Sequence, residues 1–293
     1  MKFPTLHVGR GSQVGPLTVF PLWANKPAPT KRFFSNKSGS LAVAEREGAP
    51  VVGELVVTNN SDAPVLLLAG DLLEGGWQHR VISEPVLIAA GASEVVNVNC
   101  VERGRWSGAG EQINRGRKTG PRLRSKLEAY EQLKQQEVWA EVDRFSTSQF
   151  TSKTSSYIDY LNLVEEQAVG SDVRPLDGQV GVVVAVNGHP VMLEVFATHE
   201  DLVQAWDALI GGALADTRGV RSVRTPSRRI HRFIDGLESV ELSRSSKAGL
   251  ADKVVGQGEA EGLFTSISGV EWDEELVHLL VLNQRHDLFA DAI

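Results

Sequence analysis

Val180-Gly181-Val182-Val183-Val184-Ala185-Val186-Asn187-Gly188-His189-Pro190-Val191-Met192-Leu193-Glu194-Val195-Phe196 is the stretch that decides the architecture. Two apolar runs of strand length flank Asn-Gly, the pair that supplies adjacent positive-φ positions for a type I′ hairpin turn at least steric cost. Directly afterwards Thr198-His199-Glu200-Asp201 sets a hydroxyl three residues ahead of a carboxylate, the capping-box spacing. Leu202, Trp206, Leu209, Ile210 and Leu214 then recur at helical period, and the helix is expected to end near Thr217–Gly219. A hairpin feeding a helix implies antiparallel strands with helices laid on them, an α+β architecture. Further on, the pattern predicts a helix at Ser227–Ile234, a strand at Ser239–Ser243, and closing strands at Gly262–Ile267 and Leu276–Asn283.

Working back towards the N-terminus, the first hundred residues read as β. Leu17–Phe20, Val51–Thr58, Val65–Ala69, Glu84–Ala89 and Glu94–Glu102 are short strand-like runs separated by turn residues. Such spacing favours a sandwich or barrel-like unit. Within the last run Val96, Val98 and Cys100 share one face, with Glu102 following in phase. Ser107–Gly120 is glycine-rich and basic. After Pro121 the period becomes helical, through Leu123, Leu127, Tyr130, Val138, Val142 and Phe145, and Ser156 with Asp159 opens a further short helix. The chain thus divides into a β-rich unit over 1–110, a basic loop with a helical connection over 111–175, and a hairpin-plus-helix α+β part over 176–293, unless all three form one integrated domain.

Composition narrows the function classes. The chain has 293 residues, 42% of them hydrophobic, and a single cysteine, which excludes an intrachain disulfide framework and any cysteine-rich zinc site. The longest apolar stretch, Ala208–Ala215, is far short of the ~20 residues a membrane helix needs, and Met1–Arg10 carries no leader pattern. A cytoplasmic protein with no membrane contact is expected. The net charge of −7 argues against a general nucleic-acid coat, but it is unevenly spread. Arg103–Lys126 holds eight basic residues against Glu111 alone, a net +7 that leaves −14 on the remaining 269 residues. Such a block reads either as a local anion site, the one place a nucleic acid could bind, or as a solvated loop and helix start.

The densest polar run inside apolar sequence is Ala69–Trp106. It holds Asp71, Glu74, Gln78, His79 and Arg80 at the end of one apolar run, and Cys100, Glu102, Arg103, Arg105 and Trp106 at the end of another. Asp71, Glu74 and Glu102 are candidate general bases, or oxygen ligands for a divalent metal if the protein is an enzyme. Gln78, His79, Arg80, Arg103, Arg105 and Trp106 are candidate ligand contacts: the arginines can clamp a phosphate or carboxylate, and the indole can stack a ring. The competing reading is a salt-bridge network around a turn, with Cys100 as a buried packing residue. Gly9-Arg10-Gly11 lacks the strand and helix of a dinucleotide fingerprint, and Gly116–Gly120 lacks phosphate-loop spacing. The seven histidines show no metal-pair spacing, so no metal site is expected. A second basic cluster, Arg224, Arg228, Arg229, His231 and Arg232, reads as a solvated helix face or, alternatively, as a contact for an anionic partner.

The run Leu66–Arg80, followed by Cys100-Val101-Glu102-Arg103-Gly104-Arg105-Trp106, resembles the ARG and Rhodanese-Phosphatase-superfamily-associated protein domain family, in which ARG stands for ADP-ribosylglycohydrolase. Val182–Trp206 is similar to that family as well. The matching positions are Gly70, Glu74, Gly75, Gln78, Arg80, Cys100, Glu102, Gly104, Arg105 and Trp106, within a resemblance spanning roughly residues 15–290; Trp77 departs from it. The resemblance implies association with ADP-ribose-removing enzymes, rhodaneses and phosphatases, and it implies no catalytic residues. Together these readings lead to an accessory protein that binds a small anionic ligand, a nucleotide or ADP-ribose derivative, with Arg80 and Arg105 on the anion. The alternatives are a metal-assisted hydrolase or transferase of a nucleotide-like substrate, and a ligand-free module that binds a partner protein.

Overall fold

The Asn187-Gly188 turn forms as its sequence dictates. In the computed structural model φ is 49° at Asn187 and 82° at Gly188, and the turn joins strands Gly181–Val186 and His189–Phe196. The structure describes residues 1–25, 33–35, 39–46, 51–108, 110–128, 131–146, 150–167, 172–260 and 263–290. Tyr130 and Gly262, used in the sequence reading, lie outside them.

The hairpin sits inside a nine-stranded antiparallel sheet ordered Leu6–Val8, Leu17–Ala24, Gly181–Val186, His189–Phe196, Glu275–Asn283, Leu263–Trp272, Ala251–Ala260, Ser243–Ala248, with Ser12–Val14 added on Leu17–Ala24. Leu17–Ala24 pairs with Gly181–Val186, placing Phe20 opposite Val183 and Leu22 opposite Gly181. This long-range pairing puts the N-terminal strand in one sheet with strands from the last third of the chain. The chain divides into one unit of Met1–Lys31 with Gly170–Ile293 and another of Arg32–Val169.

In the first unit all six residues of Gly181–Val186 are buried, which is why that strand reads as a continuous apolar run. Helix Ser227–Leu237 turns Ile230, Phe233, Ile234 and Leu237 onto Phe20, Leu22, Val183, Leu193, Val195, Leu279 and Val281. Helix His199–Asp216 begins with the reciprocal capping box: Asp201 N–H donates to Thr198 Oγ1 at 3.1 Å, and Thr198 N–H donates to the Asp201 carboxylate at 3.2 Å. The strand expected at Ser239–Ser243 is reduced to a single bridge between Glu241 and Lys2. The outer strand is instead Ser243–Ala248, whose first five residues are exposed. A sheet edge is commonly polar and charged, which protects it from pairing with other chains and also erases the alternation by which strands are read.

The second unit is built on a closed barrel ordered Ser93–Cys100, Glu54–Asn59, Leu41–Ala44, Glu111–Ile113, Leu72–Gly75, Arg80–Ile82. Its interior is filled by Val43, Leu55, Val57, Leu73, Ile82, Val96 and Val98. A small sheet of Val86–Ile88, Val65–Leu67 and Phe34–Ser35 accompanies it. The helical connection breaks in two, Pro121–Lys126 and Glu131–Arg144, followed by Tyr157–Gln167. The α+β class and the barrel-like N-terminal β unit agree with the sequence reading.

Candidate functional site: the polar end of the barrel

Side chains alternate across a strand, so residues two apart share a face. Ile82, Val98 and Val43 point into the barrel. Arg80, Cys100 and Glu45, each two residues further along, continue those inward rows. The register agrees, since Arg80 lies opposite Cys100 on one side and Leu73 on the other. Gln112 lies opposite Val43. One end of an apolar interior is thus closed by an arginine, a glutamate, a glutamine and a thiol.

Arg80 is fully buried, at 0% exposure. Its Nη1 donates to Gln78 Oε1 at 3.2 Å, while Nε and Nη2 have no hydrogen-bond partner among the described residues. Its Nη2 stands 3.9 Å from Glu45 Oε1, near enough for charge attraction and too far for a hydrogen bond. Both Glu45 carboxylate oxygens and Gln112 Oε1 are buried and likewise have no hydrogen-bond partner among the described residues. The guanidinium also lies 5.8 Å from the centroid of Trp106, whose ring meets Trp77 edge-on at 5.6 Å. Cys100 Sγ donates to Gln78 Oε1 at 2.9 Å, and burial pushes its thiol up to about 11. A thiol held neutral in this way is a packing and hydrogen-bonding group rather than a nucleophile.

Glu102 and Arg105 form a separate, closed arrangement. Arg105 Nε donates to both Glu102 oxygens at 3.0 Å and Nη2 lies 2.7 Å from Oε2. The remaining N–H groups bind the carbonyls of Gly76 at 2.6 Å, Ser107 at 2.8 Å and Gly75 at 3.1 Å. The guanidinium therefore ties the turn at 75–79 to the end of strand Ser93–Cys100. Burial works to raise the Glu102 carboxyl, but hydrogen bonds from Arg105, Thr154 and the His79 N–H outweigh it and hold it below the usual carboxylate range. His79 Nδ1 accepts the Gly75 N–H at 2.9 Å, which leaves the proton on Nε2, 3.6 Å from Glu102. Burial, aided by Arg105, lowers the His79 imidazole despite the pull of Glu102.

The basic block resolves into ion pairs with acids outside it. Arg117 clasps Glu74 at 2.8 and 2.6 Å, and Arg115 approaches the same carboxylate at 3.5 Å. Lys118 Nζ is 2.6 Å from Asp71, whose other oxygen accepts the Leu68 N–H at 2.8 Å. Arg122 pairs with Glu141 at 2.7 Å, Lys126 with Glu137 at 3.8 Å, and Arg103 with Asp143 at 3.4 Å. Gly116–Gly120 is thus a belt against residues 70–74, with Thr119 N–H donating to Gly70 O at 2.8 Å.

The structure therefore brings Gln78, Arg80 and Cys100 together at the barrel end, and gathers His79, Glu102 and Arg105 beside the 75–79 turn. Asp71 and Glu74 are held by Lys118 and Arg117. Arg103 points away, 59% exposed, over Trp139 at 5.4 Å. Trp106 is 48% exposed. Glu45 and Gln112 were missed by sequence reasoning, although the period-two row Leu41, Val43, Glu45 carried a signal for the first. Among the described residues no three His, Cys, Asp or Glu side chains are grouped to hold a metal ion, and no helix is long and apolar enough to cross a membrane.

These features define an α+β protein in which a small antiparallel barrel carries a buried, incompletely bonded arginine–glutamate pair at one end. The model of the ARG and Rhodanese-Phosphatase-superfamily-associated Protein domain matches residues 5–282, nearly the whole chain, and the chain belongs to that family. No curated protein and no solved structure matches it.

Proposed function

We propose that this chain is a cytoplasmic accessory protein whose barrel binds a nucleotide or ADP-ribose derivative through adjacent sugar hydroxyls at Arg80 and Glu45. The observation that carries this reading is the fully buried Arg80, whose Nε and Nη2 have no hydrogen-bond partner among the described residues, with Nη2 3.9 Å from a Glu45 carboxylate that likewise has none there. Each buried polar group left without a partner costs about 1–3 kcal/mol, and such groups are rare in native interiors. A vicinal diol satisfies both sides at once, its oxygens accepting from Arg80 and its hydroxyls donating to Glu45. A carboxylate receiving ribose hydroxyls is also how dinucleotide-binding folds hold the sugar. Trp106 offers a half-exposed ring face for the base or sugar, and Arg103, beside the motif, is exposed while pairing with Asp143 at 3.4 Å. In this reading Arg105 is a brace rather than a clamp, because all its N–H groups are engaged. Asp71, Glu74 and Glu102 serve as counter-ions.

The ligand-free interaction module is favoured by a different observation, the complete pairing of Asp71, Glu74 and Glu102 with bases. A thermal-shift series with ADP-ribose, NAD and nucleotides separates the two readings. Ligand at a hundredfold excess over Kd adds about 2.7 kcal/mol to folding stability, so the wild-type melting temperature rises by several degrees, while Glu45→Gln and Trp106→Ala lose most of the rise. No shift in the wild type, or equal shifts in all three proteins, refutes the ligand reading.

A further inference from the structure

Gly9-Arg10-Gly11, which fits no dinucleotide fingerprint, has a local cause in the first unit. A Cβ on Gly9 would lie 2.8 Å from Pro21 Cγ and from Trp23 Cζ3, and one on Gly11 would lie 2.5 Å from the Phe20 ring. The two glycines let the chain lie flat on strand Leu17–Ala24. The arginine between them lines a cavity of about 380 Å³, within the range of small-molecule sites. Arg10 is exposed and has no hydrogen bond or ion pair among the described residues.

The cavity has a mixed lining, in which Ser12 and Gln179 stand beside the apolar side chains and the arginines are exposed at its edge. Val19, Pro21, Pro175 and Trp206 form walls; of the charged lining residues Arg174 pairs with Asp207 at 3.4 Å, while Arg10 stands without an ion pair among the described residues. The 172–179 segment is held in place by side chains. Trp206 Nε1–H donates to Val173 O at 2.9 Å and Trp23 Nε1–H to Asp177 O at 3.0 Å. Gln179 accepts the Leu176 N–H at 2.9 Å and donates to Gly181 O at 2.8 Å. Walls fixed before a ligand arrives spare it the ordering cost of binding.

We infer that this cavity binds a small organic anion with an apolar body, an aryl or alkyl carboxylate or phosphate ester, its charge on Arg10 and its body against Pro21, Pro175 and Trp206. This site belongs to the first unit alone and stands independently of the barrel reading.

The test follows the Trp206 indole N–H of the full chain by NMR during titration with phenyl phosphate and phenylacetate. Inorganic phosphate supplies the charge without the body, and benzyl alcohol the body without the charge. At least one aryl anion shifts the resonance saturably, and its preference over the other assigns the charged group. Inorganic phosphate and benzyl alcohol bind at least about tenfold more weakly. Arg10→Ala, whose side chain is exposed, weakens the aryl anion about tenfold or more, as expected for loss of a charged hydrogen bond. Arg228→Ala, which removes the same charge from helix Ser227–Leu237, changes nothing. The inference is overturned if neither aryl anion binds saturably, if Arg10→Ala binds as tightly as the wild type, or if inorganic phosphate matches the aryl anion.

Discussion

Replacing Arg105 by alanine tests whether the Glu102–Arg105 pair is a brace of the barrel. The substitution removes three contacts to Glu102 at 2.7–3.0 Å and the guanidinium's hydrogen bonds to the carbonyls of Gly75, Gly76 and Ser107. It leaves a carboxylate whose side chain is 3% exposed, with only His79 and Thr154 as donors. Breaking a buried pair from one side costs about 3–5 kcal/mol. The Arg105 side chain is 25% exposed, so water can reach part of the vacated space, which puts the loss at the lower end of that range, about 3 kcal/mol. With a urea m-value of about 2 kcal/mol/M, the midpoint falls by roughly 1.5 M at pH 7, read by near-UV circular dichroism. Adding Glu102→Gln to Arg105→Ala removes the stranded charge. The double variant should therefore be more stable than the sum of the two single losses by at least about 1.5 kcal/mol. An Arg105→Ala protein within about 0.5 kcal/mol of the wild type, close to the scatter for an ordinary surface change, would refute the brace.

Two further outcomes follow from the same geometry. The lowered His79 and Glu102 values act in one direction: each group binds protons more weakly folded than unfolded. Their stabilisation is present above the ordinary values of 6.5 and 4.5, and it is lost as the pH falls through the lower folded values. The wild type should lose stability on acidification below about pH 6.5 and again below about pH 4.5. His79→Gln should reduce the first fall, to which the lowered His189 and His286 also contribute, and Glu102→Gln should reduce the second, in urea midpoints measured from pH 3 to 8. The Cys100 thiol, buried and pushed up to about 11, should react with a disulfide reagent at pH 8 at least about a hundredfold more slowly in the native protein than in urea. A native rate near the unfolded one would place the thiol at the surface.

The parts of the fold legible in sequence are those specified by neighbouring residues. The Asn187-Gly188 turn, the Thr198–Asp201 capping box and the helix expected at Ser227–Ile234 all formed where the pattern put them, the last running on to Leu237. The pairing of residues 17–24 with 181–186 was not legible, because it depends on register between segments more than 150 residues apart. The same holds for charge. Counted along the chain, Arg103–Lys126 is a basic block, yet Arg117 finds its partner 43 residues upstream at Glu74. The motif that pointed to the site was visible, but Glu45 was not. It comes from a strand that precedes the motif and meets Arg80 only once the barrel closes.

A crystal structure of the full chain soaked with ADP-ribose tests the central claim most directly. The account predicts electron density for a ribose diol bonded to Arg80 Nη2 and the Glu45 carboxylate, which part from their 3.9 Å separation to admit it, with a ring of the ligand against Trp106. Direct hydrogen bonds from Arg80 to Glu45, with no ligand between them at saturating ADP-ribose, would contradict it.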